Sequence, residues 1–245
     1  MNKRVFFTVF FLAIGTAPAF AAAPAPLVPQ PPCKGADRAC LFKELGQSAA
    51  SIEDDKWRDI SYRELAKSLA AENRLDEAMA LIPKIVTPDT QALTIRGIGM
   101  AAATLNLTPD QYSALFKSLA QEADKISQPA SKDIAYTYIA MSQSFAKQDT
   151  AALATARSMT NPALKHKAFG EIAEVQAERK DAAAAMATLM EIDSPAYKNK
   201  STRTITLLLA DRGLFDEAAM AAHQITNPTL KAEALQYILT KQTPK

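Results

Sequence analysis

Asn161-Pro162-Ala163-Leu164-Lys165-His166-Lys167-Ala168-Phe169-Gly170-Glu171-Ile172 returns later in the chain as Asn227-Pro228-Thr229-Leu230-Lys231-Ala232-Glu233-Ala234-Leu235-Gln236-Tyr237-Ile238. The shared skeleton is Pro-x-x-Lys-x-x-Ala-x-x-x-Ile. It recurs at Pro129 with Lys132, Ala135 and Ile139, and at Pro195 with Lys198, Ser201 and Ile205. A more eroded copy at Pro88 has Gln91, Thr94 and Ile98. From Pro88 onward the spacings are 41, 33, 33 and 33 residues. A period in this range means stacked supersecondary units, each too small to bury its own apolar face.

Within each unit the apolar residues recur at three and four, as in Ala168, Ile172 and Val175, which lie along one face of a helix. No stretch shows strand-like alternation, and the chain has only 7 glycines. The reading is all α. Thr87, Asn161, Ser194 and Asn227 each precede a repeat proline, so a capping residue followed by proline at the first helical position marks the start of a helix A. Gln128 fits that role poorly. Helix A ends near Asn73, Lys147-Gln148, Arg179-Lys180 or Gly213, and Asp76, Asp149, Asp181 or Asp216 then opens a helix B. The long repeat has its extra residues around Leu105 to Lys125, where Thr108-Pro109-Asp110-Gln111 reads as a capping box opening a longer helix B. Pro83 interrupts the first helix B.

Lys3 and Arg4, the apolar run Val5 to Ile14 and Ala19-Phe20-Ala21 read as a secretory signal peptide over 1–21. The run is about half the ~20 residues a membrane span needs. The chain has 28 Lys plus Arg and 26 Asp plus Glu. Without the leader's two basic residues the balance is zero, which argues against nucleic-acid binding. Residues 22–36 form a Pro-rich linker. Cys33 and Cys40, the only cysteines, are expected to form a disulfide after export. Along one helix their Cα atoms would be about 10.5 Å apart, beyond the roughly 7 Å limit for a bridge, so Cys33 must precede the helix and fold back. The division is completed by a disulfide-pinned N-terminal cap over 37–54 and a helical repeat domain over 55–245.

Leu75-Asp76-Glu77-Ala78 and Ala210-Asp211-Arg212-Gly213-Leu214-Phe215-Asp216-Glu217-Ala218, followed by Ile225-Thr226-Asn227-Pro228, resemble the inter-helix turn and repeat end of tetratricopeptide-like bacterial α-solenoids. The likeness covers roughly residues 57 to 241. It departs from that pattern in its period and in having Ala and Ile where that class carries large aromatics. The expected fold is a right-handed α-α superhelix, or solenoid, of about five helical hairpins plus terminal cap helices.

No catalytic constellation stands out, and the chain is read as a non-enzyme without cofactor or metal. His166 and His223 are the only histidines, and His166, between two lysines, reads as solvated. Two candidate binding features remain. One is the ladder Lys132, Lys165, Lys198 and Lys231, which either forms a cationic stripe or is held structurally. Each lysine lies in a first helical turn, where the helix dipole disfavours a cation and the end of the preceding helix B offers compensation. The other is the face of the A helices, where the register places Lys167, Lys200, Glu233, Thr137, Gly170, Arg203 and Gln236 at the surface. The expected function is an adaptor or scaffold binding another protein or peptide in the bacterial envelope, periplasmic or secreted, without stable membrane insertion once the leader is gone. The alternative is an accessory protein associated with cell-wall glycan.

Overall fold

A computed structural model describes residues 32–242. The leader call and residues 22–31 of the linker lie outside them. The described chain is helical throughout, with α1 (Arg38–Ala50), α2 (Asp55–Ala71), α3 (Leu75–Met79), α4 (Pro88–Ala103), α5 (Pro109–Asp124), α6 (Pro129–Phe145), α7 (Asp149–Ser158), α8 (Pro162–Glu178), α9 (Ala182–Leu189), α10 (Pro195–Asp211), α11 (Phe215–His223) and α12 (Pro228–Lys241). No strand occurs among these residues.

The even-numbered helices from α2 to α12 are the A helices, and each packs against the next: α2 on α4, α4 on α6, α6 on α8, α8 on α10 and α10 on α12. The odd-numbered B helices from α3 to α11 each pack between their own A helix and the following one. The result is an all-α solenoid of five hairpins closed by α12. α1 packs on α2 and covers the other end. The core is a ladder of small and branched residues, including Ala66, Ile98, Ile139, Ile172, Ile205 and Ile238, all buried. Alanine at the helix crossings allows close approach, and the larger side chains interdigitate.

The turns between helices A and B repeat one device. Asn73, Lys147, Lys180 and Gly213 hold φ of 60°, 60°, 65° and 76°, the left-handed region. The next amide then reaches back across the turn: Arg74 N to Leu69 O, Gln148 N to Gln143 O, Asp181 N to Gln176 O and Leu214 N to Leu209 O. These bonds satisfy carbonyls that the helix end leaves free. The long repeat lacks this turn. Its α5 opens on the expected capping box, with Gln111 N donating to Thr108 Oγ1 and Thr108 N to Gln111 Oε1. α5 has 16 residues, against 10, 8 and 9 for α7, α9 and α11. The first helix B stops at Met79, and a short 3-10 turn containing Pro83 follows.

The caps divide. Asn161 and Asn227 accept bonds from the amides of Leu164 and Leu230, whereas Thr87, Gln128 and Ser194 make no side-chain cap. Of the aspartates expected to open B helices, Asp181 caps α9 through Ala184 N. Asp76 and Asp216 lie inside the first turns of α3 and α11, where only the helix dipole engages them. The Cys33 and Cys40 sulfurs are bonded, with Cα atoms 5.7 Å apart. Cys33 precedes α1 and Cys40 lies in its first turn, as the distance argument requires.

Candidate functional site

The lysine ladder does not form a uniform stripe. Lys132 Nζ lies 2.7 Å from Asp124 Oδ1 at the end of α5. Tyr136 Oη also donates to that carboxylate, at 3.0 Å. Hydrogen bonds from Lys132 and Tyr136 hold the Asp124 carboxyl below its ordinary range. Burial, together with Asp124, pushes the Tyr136 phenol up to about 12. Lys165 Nζ donates to the carbonyl of Arg157 near the end of α7, at 3.0 Å. Both lysines are held by the C-terminal end of the preceding helix B, where carbonyl dipoles and a carboxylate offset the unfavourable helix start. Lys198 and Lys231 are half-buried and have neither ion pair nor side-chain hydrogen bond among the described residues.

The fifth position of three A helices carries a second repeated device, which sequence reasoning missed. Asp59, fully buried in α2, accepts from the amides of Val86 and Thr87 in the loop before α4. Asn199 in α10 accepts from the amides of Thr226 and Asn227 before α12. His166 in α8 pairs through Nε2 with Asp193, in the loop before α10, at 2.5 Å. His166 is therefore not solvated: its side chain is 11% exposed. In all three cases the partner begins 27 residues downstream. The sequence signal is a polar residue at the fifth helical position, but only the packing shows that this position faces the next loop.

The expected exposure of two A-helix positions also needs correcting. Lys167, Lys200, Glu233 and Gln236 are exposed as expected, and Arg203 is half-buried with Nε 2.8 Å from Glu233 Oε2. Thr137 and Gly170 are buried. They lie in the seams where successive A helices touch. A Cβ on Gly170 would come within 2.7 Å of Ser201 Oγ in α10.

The side of the A layer turned away from the B helices holds a depression. It is an open groove of about 530 Å³ between α2 and α4, lined by Arg63, Glu64, Lys67, Leu93, Arg96, Gly97, Met100 and Ala101. Leu65 and Leu69 face the opposite way, toward Leu81 beyond α3. Two helical steps along the same face, α8 presents Glu171, Glu174 and Glu178 beside Lys167 and Lys200. Burial pushes the Glu174 carboxyl up to about 7, with Glu171 and Glu178 adding repulsion and Lys200 and Lys167 opposing it. The candidate basic residues Lys167 and Lys200 are thus partly balanced by carboxylates.

This arrangement predicts a pH effect on stability. The folded Glu174 binds its proton more tightly than the unfolded one, whose ordinary value is 4.5. Its favourable contribution is complete below that value and is lost as pH rises through about 7. Glu174→Gln is expected to flatten this decline. At pH 8 it should be more stable than the parent by on the order of 1 kcal/mol, after allowance for solvent screening. Urea melts of both proteins at pH 5 and pH 8 test this; parallel pH dependences would contradict it.

The chain was compared with protein-family models, curated proteins and solved structures, and no match was found. Among the described residues no helix is long and apolar enough to cross a membrane.

Proposed function

We propose that the protein is a tetratricopeptide-like α-solenoid exported to the bacterial periplasm or beyond, where it acts as a non-catalytic adaptor or scaffold. Its A-helix face is the protein-binding surface. The observation that carries this reading is the composition of that face. It sets half-buried Leu93, Met100, Tyr138 and Leu207 among exposed charges of both signs: Lys67, Arg96, Lys167 and Lys200 with Glu64 and Glu233. Apolar area with mixed, unsaturated charge fits a protein surface better than a uniform polyanion. The bonded cysteine pair supports an oxidising compartment.

Site-specific photo-crosslinking in the native cell tests the reading. A photoreactive residue at Lys167 or Lys200 is expected to give a discrete protein adduct. The same residue at Ala183 or Thr150, exposed on B helices, should not. Equal labelling from both faces, or none from the A face, would remove the support for an adaptor.

A further inference from the structure

The groove between α2 and α4 has three features that the fold itself does not require. The first is its charge. Arg63 and Glu64 form an ion pair at 2.8 Å, which occupies the groove's one carboxylate. Lys67 and Arg96 are exposed and have no carboxylate partner among the described residues. The Arg96 guanidinium lies 5.2 Å from the centre of the Tyr138 ring on α6, a cation–π contact that orients it without neutralising it.

The second feature is Gly97. Gly99 and Gly170 have a packing reason, since a Cβ on either would come within 2.7 Å of a serine hydroxyl on the next A helix. A Cβ on Gly97 would meet only the Lys67 side chain, Cβ at 3.5 Å and Cγ at 3.8 Å, ordinary van der Waals contacts. A glycine inside a helix costs about 1 kcal/mol relative to alanine. Here no helix crossing demands it. What its missing side chain does is keep the groove open.

The third feature is the wall. Leu93, Met100 and Ala101 are half-buried and line the groove beside the two cations. An apolar side chain seated there would be flanked by an ammonium and a guanidinium. Arg recognises a carboxylate through its planar fork, and Lys does so as a point charge. A nucleic acid fits less well. It needs a long track of basic residues, whereas only two unpaired cations stand here beside an apolar wall.

Resting on the reading of the A-helix face as a protein-binding surface, we infer that the α2–α4 groove is a recognition site for an acidic peptide segment. One apolar side chain lies against Leu93 and Met100, and flanking carboxylates meet Lys67 and Arg96.

The test uses the full mature chain and two pools of short fluorescent peptides. One pool is randomised over Asp, Glu, Leu and Phe; the other replaces the acidic residues with Lys and Arg. The acidic pool is expected to bind, and the basic pool is not. Lys67→Glu combined with Arg96→Glu should weaken binding at least about tenfold, and so should Gly97→Leu, which fills the groove. Lys198→Glu, outside the groove, should leave affinity unchanged. Circular dichroism and melting temperature report whether each variant is folded, and Arg96→Glu alone serves if Gly97→Leu is not. Equal binding of the two pools, or acidic-pool binding indifferent to the groove substitutions, overturns the site. Displacement of the peptides by a single-stranded oligonucleotide, with the same sensitivity to substitution, overturns its assignment to peptide. A protein adduct formed from Lys167 or Lys200 alongside either failure would leave the adaptor reading standing and remove only this groove from it.

Discussion

Asp59→Ala is expected to lower the stability of the protein by about 1–3 kcal/mol, because it removes the acceptor of two partly buried amides at once. The Asp59 side chain is fully buried. Its Oδ2 accepts from Thr87 N at 2.8 Å and its Oδ1 from Val86 N at 3.2 Å. These amides belong to the loop that sets the entry of α4, so the bond ties the first hairpin to the second. Alanine leaves both donors without an acceptor and opens a small cavity. Asn199 shows how much of this an amide can replace, since its single Oδ1 accepts from Thr226 N at 2.8 Å and Asn227 N at 3.4 Å. Asp59→Asn is accordingly expected to cost less than half as much as the alanine variant. Denaturant melts of the three proteins decide the matter. A loss within about 0.5 kcal/mol for Asp59→Ala would show that water replaces the carboxylate at those amides.

Gly99→Ala is expected to be the most damaging single methyl in the chain. The new Cβ would lie 2.7 Å from Ser142 Oγ and 2.9 Å from Ser142 Cβ, at the crossing of α4 and α6. The central A helices would have to separate, at a cost of about 1–3 kcal/mol for an overpacked core. Ser142→Gly should recover most of that loss, because it removes the facing atoms and a buried hydroxyl with no hydrogen-bond partner among the described residues. Gly97→Ala, two positions away, is the contrast. Its Cβ has room, and the gain in helix propensity should leave stability unchanged or raised by up to about 1 kcal/mol. If the two alanine variants melt alike, the crossing of α4 and α6 accommodates a methyl group and the overpacking argument fails.

The repeat prolines and their spacing read correctly as helix starts. The reason is that they act locally: a fixed φ and a missing amide at the first turn require no knowledge of neighbours. The same holds for the ends of the A helices near Asn73, Lys147, Lys180 and Gly213 and for the capping box at Thr108. The candidate site was harder to read. The lysine ladder is visible in sequence because its period is that of the repeat. Whether Lys132 meets Asp124 or a ligand depends on where the end of α5 falls. Thr137 and Gly170 share the helical position of Arg203 and Gln236, but at that seam a short residue is covered by the next A helix whereas a long side chain reaches out to solvent. The groove was not visible either. Arg63, Lys67 and Arg96 share no repeat position with the ladder, and Lys67 comes beside Arg96 only through the packing of α2 on α4.

Hydrophobic periodicity, turn chemistry and period together determined an all-α chain of stacked hairpins, because each of these acts within a few residues or repeats at a fixed interval. Only the tertiary structure decided which face of each helix meets its neighbour. That choice settled which polar groups became buried clasps, as at Asp59, His166 and Asn199. It also left Lys67 and Arg96 without carboxylate partners among the described residues, since pairing across a seam depends on side-chain geometry between helices that lie a full repeat apart in the chain.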